Sequence, residues 1–539
     1  MIRSWSLLCA LLFSLSASAA TFTVTSSAGS GAGTLRQAIL DANAAPGLDQ
    51  IRFAVTNVTL TNFGPPITGP VDIDGTVGTG RVVITGVLVD GSTIIDFQPG
   101  SSGSSARNMI FRNAYYFVRT NGVTDISIAS NLGNSGFLGS IYVSRSSRVS
   151  VTDNFINFFE LTVIMSSEVT VLRNTASAMR VILSSAVTVG SNGNGNRFGQ
   201  VEIVSSAATI AFNTVDTADT ITTFGGIDVH FLSSTPPPAL SIVKNIVRNA
   251  PKGIRIEDSN TGVLLSQNLL TGNGIGIDLD SDGPTPNDPA PDADSGANNR
   301  QNYPVLAAAQ LIGGSLTAAG TLTSAPLTPY VLEFFSSSAA DPEARTYLGT
   351  TNVTTDATGN AAFNATLATT GAAAGDVVTA TARNAVTNDT SELSAPLAVI
   401  APGTLSLAQS AYTVNEVDGT VAVTVLRSGG SDGTVTVAYT TANGSATAPE
   451  DYVTTSGTLV FGPGVTSQTV NVPIAPGGAV EPDETFTFTL SNPTNGAQLG
   501  APSQAVVTIV DAAMIPALST WMLIALFAAL AAVTLMRLR

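Results

Sequence analysis

Val149-Ser150-Val151-Thr152-Asp153-Asn154 and, one repeat later, Val169-Thr170-Val171-Leu172-Arg173-Asn174 decide how this chain folds. In each, two apolar residues flank a polar one, as in a strand with one buried face, and an asparagine closes the segment. The same frame recurs at 126–131, 187–192, 208–213, 240–245 and 263–268, after an imperfect first copy ending at Asn113. Successive closing asparagines (113, 131, 154, 174, 192, 213, 245 and 268) are separated by 18, 23, 20, 18, 21, 32 and 23 residues. A period of this size belongs to solenoid proteins, in which one turn of chain stacks on the next.

A second apolar-alternating segment lies between the asparagines, at 141–143, 163–165, 181–183, 201–203 and 228–230, and usually runs into paired serines. Each turn therefore supplies at least two strands, and stacking equivalent strands about 4.8 Å apart gives parallel sheets around a narrow aliphatic core. Asparagine tolerates the left-handed backbone of a sharp corner, and stacked amides can bond from turn to turn. The expected architecture over 21–300 is a parallel β-helix, right-handed because parallel crossovers favour that hand. A leucine-rich repeat is the alternative, but its leucine spacing is absent. The long step holds an insertion over 216–238, which ends in Pro236-Pro237-Pro238 and is expected to leave the stack as a loop.

A stack of this kind needs its first open edge covered. Thr34-Leu35-Arg36-Gln37-Ala38-Ile39-Leu40-Asp41-Ala42-Asn43 reads as a capping helix, with Thr34 as N-cap, Gln37 three residues on, and Leu35, Ala38, Ile39 and Ala42 on one face. With Ile51-Arg52-Phe53 and Ile67-Thr68-Gly69-Pro70-Val71-Asp72-Ile73-Asp74-Gly75, this region resembles the N-terminal module of CSLREA-type bacterial β-helix surface proteins. The Cys-Ser pair that names the family is missing, and Gly33-Thr34 stands in its place.

Beyond the repeats, Asp278-Leu279-Asp280-Ser281-Asp282-Gly283 opens an acidic, proline-rich linker. Its spacing is that of the start of a calcium loop, although Pro289 stands where a closing glutamate would be needed; a solvated acidic linker is the other reading. Residues 301–402 alternate as an immunoglobulin-like β-sandwich does. Residues 403–513 resemble a Calx-beta domain, on Tyr412-Thr413-Val414-Asn415-Glu416 with Asp418-Gly419, Ala446-Thr447-Ala448-Pro449-Glu450-Asp451-Tyr452, Glu481-Pro482-Asp483-Glu484-Thr485-Phe486 and Val507-Thr508-Ile509-Val510-Asp511. That resemblance implies a calcium site at one end of the sandwich, with Glu416, Asp451, Glu481, Asp483 and Asp511 as its ligands. Ala512 and Ala513 stand where the family often continues with aspartates, which implies fewer ions or weaker binding.

Residues 1–20 have the order of a secretory signal peptide: Arg3, an apolar stretch and then Ala17-Ser18-Ala19. At the other end, Met514-Ile515-Pro516-Ala517-Leu518-Ser519-Thr520-Trp521 resembles the IPTL-CTERM sorting signal of Gram-negative bacteria, with Ala517 in place of the usual threonine. The apolar run 518–536 before Arg537-Leu538-Arg539 is expected to form a C-terminal transmembrane helix with its arginines in the cytoplasm. The sorting segment spans 514–539. The single cysteine, Cys9, lies in the signal segment, so disulfides and thiol chemistry play no part in the remainder.

The fold class expected is all-β: a right-handed parallel β-helix, two β-sandwiches and a terminal membrane helix. A net charge of −16 with two lysines, Lys244 and Lys252, excludes nucleic acid as a partner and favours divalent cations. His230 is the one histidine, and zinc hydrolysis or a histidine-based triad would need more. The acids Asp153, Glu160, Glu168, Glu202, Asp228, Glu257 and Asp258 show no recurring partner Arg or Lys at one sheet position, so no catalytic residue is assigned. These features suit an exported, non-enzymatic surface or secreted protein of adhesin type. Its expected partners are calcium, envelope sorting machinery, the inner membrane, and glycans or other surface proteins. The alternative from another class is a polysaccharide lyase or glycoside hydrolase.

Overall fold

The computed structural model describes residues 18–133, 139–219, 225–230, 239–257, 260–312, 315–367, 371–477, 481–511 and 520–536. The chain divides into two compact units. One holds 1–308, 318–372 and 376–398, and the other holds 309–317, 373–375 and 399–539.

In the first unit, eleven short strands from Thr21–Val24 to Val263–Ser266 form one sheet in chain order, each paired in parallel with the next. The register sets one residue of each turn directly on its equivalent in the next: Ile51, Ile73, Ala106, Ile128, Val151, Val171, Val189, Ile210, Ile242 and Leu265. All are buried. The return strands of the same turns build a second, largely parallel sheet of eighteen. An aliphatic side chain that meets its own kind above and below removes nearly all its apolar surface from water, worth about 1.5–3 kcal/mol for each Val, Ile or Leu.

The corners are laddered as well. The backbone N–H and side-chain amide of Asn131 both donate to Asn154 Oδ1 at 3.0 Å. Asn154 does the same to Asn174, Asn174 to Asn196, Asn196 to Asn213, Asn213 to Asn245 and Asn245 to Asn268. Two expected members are corrected. Asn192 is exposed and the rung is Asn196, because Gly190-Ser191-Asn192-Gly193-Asn194-Gly195 loops outward before the chain turns in. Asn113 is likewise exposed, so the series starts at Asn131. At the opposite corner the paired serines form a second ladder: Ser146, Ser166 and Ser184 each donate a backbone N–H to the hydroxyl of the next, ending on Ser206, at 3.1 Å.

The outer face carries charge in register, contrary to the expectation of scattered acids. Asp96, Arg119, Tyr142, Thr162, Arg180, Glu202, Asp228, Arg255 and Asp278 occupy one position on successive strands. Their ion pairs run along that column: Arg119–Asp96 at 2.7 Å, Arg180–Glu202 at 2.6 Å and Arg255–Asp228 at 2.7 Å. The partner charges were hidden because turn lengths vary, so equal register does not appear as equal spacing.

Helix Leu35–Ala44 covers the first turn. Thr34 Oγ1 accepts the Gln37 N–H at 3.3 Å, and Leu35, Ala38, Ile39 and Ala42 are the residues it buries. At the far end, strands of the next module lie against the last turn in place of a further coil. They belong to a four-stranded sheet, ordered Thr346–Thr354, Pro329–Ser338, Asp376–Asn384, Leu397–Ala398. Side chains of the strand Pro329–Ser338 and of the connecting loops accept the backbone N–H groups that another turn would have taken. Gly262 donates to Asp389 (2.6 Å), Leu265 to Thr390 (3.1 Å), Gln267 to Glu333 (2.8 Å) and Gly272 to Asp341 (3.0 Å), while Leu279 and Thr285 share Glu392.

In the acidic segment after the repeats the carboxylates are paired with cationic side chains. Asp278 is fully buried against Lys252, and Arg300 pairs with Asp280 at 2.8 Å and Asp282 at 3.2 Å, so cationic side chains occupy these carboxylates. His230 is half-buried and bonds Glu257 through Nδ1 at 2.7 Å.

The second unit contains a sandwich of two sheets. One orders Ser467–Pro473, Thr420–Ser428, Thr404–Leu407, Gln498–Leu499; the other orders Ala411–Asn415, Gln504–Val510, Glu484–Ser491, Val435–Asn443, Ser456–Phe461. Val423, Val437, Phe461, Phe486, Phe488 and Val507 fill the space between them. Tyr452 stacks on Phe486 with centroids 4.2 Å apart and hydrogen-bonds Asn443 at 2.6 Å.

The expected C-terminal transmembrane helix is described only in part. The helix described there runs Thr520–Met536, and 512–519 and 537–539 on either side of it lie outside the described residues. Among the described residues no helix is long and apolar enough to cross a membrane. The signal segment up to residue 17, most of the sorting motif (514–519) and Asp258 lie outside the described residues.

Candidate metal centre

At one end of the second unit's sandwich, carboxylates gather for a reason legible in strand geometry. Side chains alternate across a sheet, so a row of core residues on one strand points its next member, just past the strand end, toward the same interior axis. Phe488 and Phe486 are buried, and Glu484 continues their row; Val507 and Ile509 are continued by Asp511, and Val414 by Glu416. Asp451 comes from the turn before Tyr452 and is held by the Thr447 N–H at 2.7 Å. Glu481 donates its backbone N–H to Asp511 at 2.5 Å.

Asp451, Glu481 and Glu484 each place an oxygen within 4.8 Å of the other two. Glu416 and Asp511 adjoin this trio. Burial, followed by the charge of Asp511, a hydrogen bond shared with it, and the charges of Glu481 and Asp451, raises the Glu416 carboxyl above its ordinary range. Glu484 is raised by burial, by a hydrogen bond with Asp451 and by the charges of Asp451 and Glu481. Among the described residues no Lys or Arg is one of the main influences on either one. This is the reverse of the coil stack, where each carboxylate of the column meets a guanidinium or ammonium. Gly477 closes the site: a Cβ there would fall 2.0 Å from Glu416 Oε1.

Five mutually repelling oxygen donors of this kind fit a hard divalent cation. Calcium takes six to eight oxygens from carboxylates, carbonyls and water in flexible geometry. Of the residues expected to serve, Glu416, Asp451, Glu481 and Asp511 converge. Asp483 is exposed and outside the trio. Glu484 was missed, and the alternation leading to Phe486 is the signal that could have found it.

The Calx-beta family model matches residues 401–513. This part of the chain is a Calx-beta domain. Its start lies two residues before the expected boundary at 403. Over 121 residues, 19% of this chain and 12% of the relative, the sequence is 39% identical to sodium/calcium exchanger 1 of Felis catus. Over 100 residues, 19% of this chain and 10% of the relative, it is 38% identical to the sodium/calcium exchanger Calx of Drosophila melanogaster. The chain thus spans about an eighth or less of the length of these relatives. A solved structure titled as the calcium binding domain CBD12 of CALX1.1 is 36% identical, with 20% of this chain and 44% of that chain covered and a TM-score of 0.20. The Calx-beta domain is similar in sequence to a part of these sodium/calcium exchangers.

Proposed function

We propose that the chain is an exported structural protein of adhesin type at the cell surface or secreted from it. The coil stack would be a right-handed parallel β-helix presented as a rod, and the Calx-beta domain would bind calcium. The observation that carries the calcium reading is the convergence of Glu416, Asp451, Glu481, Glu484 and Asp511 with, among the described residues, no Lys or Arg as a main influence on Glu416 and Glu484. Bound calcium would remove the repulsion that raises these two carboxyls and would draw four separate loops together. Export would be directed by residues 1–20 and completed by sorting machinery acting on 514–539.

The rod reading is supported by the continuous parallel register of the eleven-stranded sheet and the two corner ladders. A non-enzymatic role is supported by the use of the stack's acids in ion pairs: Arg180 lies between Glu160 and Glu202, and Arg255 between Asp228 and Glu257. Calcium titration of the exported chain, followed by the unfolding transition of its second unit, tests the metal site. Release of soluble sugars from polysaccharides would overturn the non-enzymatic reading.

A further inference from the structure

We propose that the N-terminal turns of the coil stack carry a binding groove for a chain of pyranose sugars. The inference rests on the reading of the stack as a contact surface and gives that surface a place and a ligand class.

The groove holds about 1000 Å³. Its floor is the outer face of three stacked strands, Thr93–Phe97, Tyr116–Asn121 and Ser140–Ser144, and one wall is the segment around Phe63. On the floor, Tyr116 and Tyr142 set their rings 5.1 Å apart at 50°, both partly exposed. Phe63 is 48% exposed, a large apolar side chain left in water beside a polar floor. Sugars present C–H faces that pack on aromatic rings, so these three rings match one side of such a ligand.

The polar part of the floor matches the other side. Arg119 grips Asp96 through two bonds of 2.9 and 2.7 Å, and Gln98 bonds both Asp96 (2.8 Å) and Asn121 (3.0 Å). The result is a planar array of fixed donors and acceptors with the charges of Arg119 and Asp96 cancelled, suited to vicinal hydroxyls rather than to a single ion. Successive floor strands lie about 4.8 Å apart, comparable with the length of one pyranose unit, so a linear glycan would set successive units over successive strands. A peptide would instead seek an open strand edge, but the central floor strand is hydrogen-bonded to a neighbour on each side.

The test uses the full exported chain and defined hexasaccharides, two neutral (cello- and xylo-) and one of galacturonate, with binding followed by calorimetry. Binding of at least one probe is expected. Tyr116→Ala with Tyr142→Ala should weaken it tenfold or more, and Phe63→Ala severalfold, with melting temperatures unchanged. The neutral and uronate arms tell which sugar class is taken. Failure of all three probes to bind, or equal binding by the wild type and the folded double variant, would overturn the groove. Calcium-dependent stabilisation of the second unit is read separately, so loss of the groove would leave the metal site standing, and the reverse.

Discussion

The carboxylate of Glu392 accepts the backbone N–H of Leu279 at 2.9 Å, and its second oxygen takes the N–H of Thr285 at 2.7 Å. A side chain here does what the carbonyls of another turn would do, and the stack ends without an open edge. Removing that acceptor leaves two amide donors without it, a cost of about 1–3 kcal/mol for each buried one. Glu392→Ala is therefore expected to lower the first unit's stability by at least that amount, as read by denaturant unfolding followed by circular dichroism.

The same interface holds several buried acids. Burial, with the charges of Asp278 and Asp282, pushes Glu392 up to about 7; burial, with Asp341, pushes Glu343 up to about 7; burial also raises Glu333. A carboxyl whose folded value is raised favours the folded state below its unfolded value near 4.5, and that contribution is lost as pH rises through about 7. The first unit should melt at lower temperature at pH 8 than at pH 5, with up to about 3 kcal/mol of stability lost for each of Glu392 and Glu343. Glu343→Gln should flatten the profile, since it stays neutral and can still accept from Asn273, which now bonds Oε2 at 2.7 Å.

Calcium should raise the melting transition of the second unit, by about 2.7 kcal/mol at a hundredfold excess over Kd. Asp451→Asn with Glu484→Gln should abolish the shift. Because Glu416 and Glu484 are raised in the free protein, its stability should fall as pH climbs above the ordinary carboxylate range. Binding should release protons, measurable as a buffer-dependent heat.

Asn174 and Asn192 provide a paired test of the corner ladder. Asn174→Ala removes the acceptor of two bonds from Asn154 and the donor to Val151 O, and should cost about 2–4 kcal/mol if two buried groups lose their partners. Asn192→Ala, on the exposed loop, should lie within about 0.5 kcal/mol of the wild type. Equal effects would contradict the assignment of Asn196 as the rung.

Much of this architecture could be read from the chain because strand alternation and corner chemistry are local. Val151 over Val171 over Val189 follows from a frame visible in six residues. What escaped depended on register between turns of unequal length. Asn196 was hidden by the loop before it, and Arg180 beside Glu202 by a separation of 22 residues, unlike the 27 of Asp228 and Arg255. At the metal centre, motif resemblance supplied four converging acids, while Glu484 required following the inward row from Phe488 through Phe486.

The loop at 190–195 and the uneven steps between asparagines show that a turn can lengthen at its corner while its rung stays in place. Growth of such a protein is therefore a matter of adding whole floors or enlarging balconies, with no renegotiation of the shaft they share. Exposed recognition chemistry can diversify on the balconies at little risk to folding, and reach can be set independently by the number of floors.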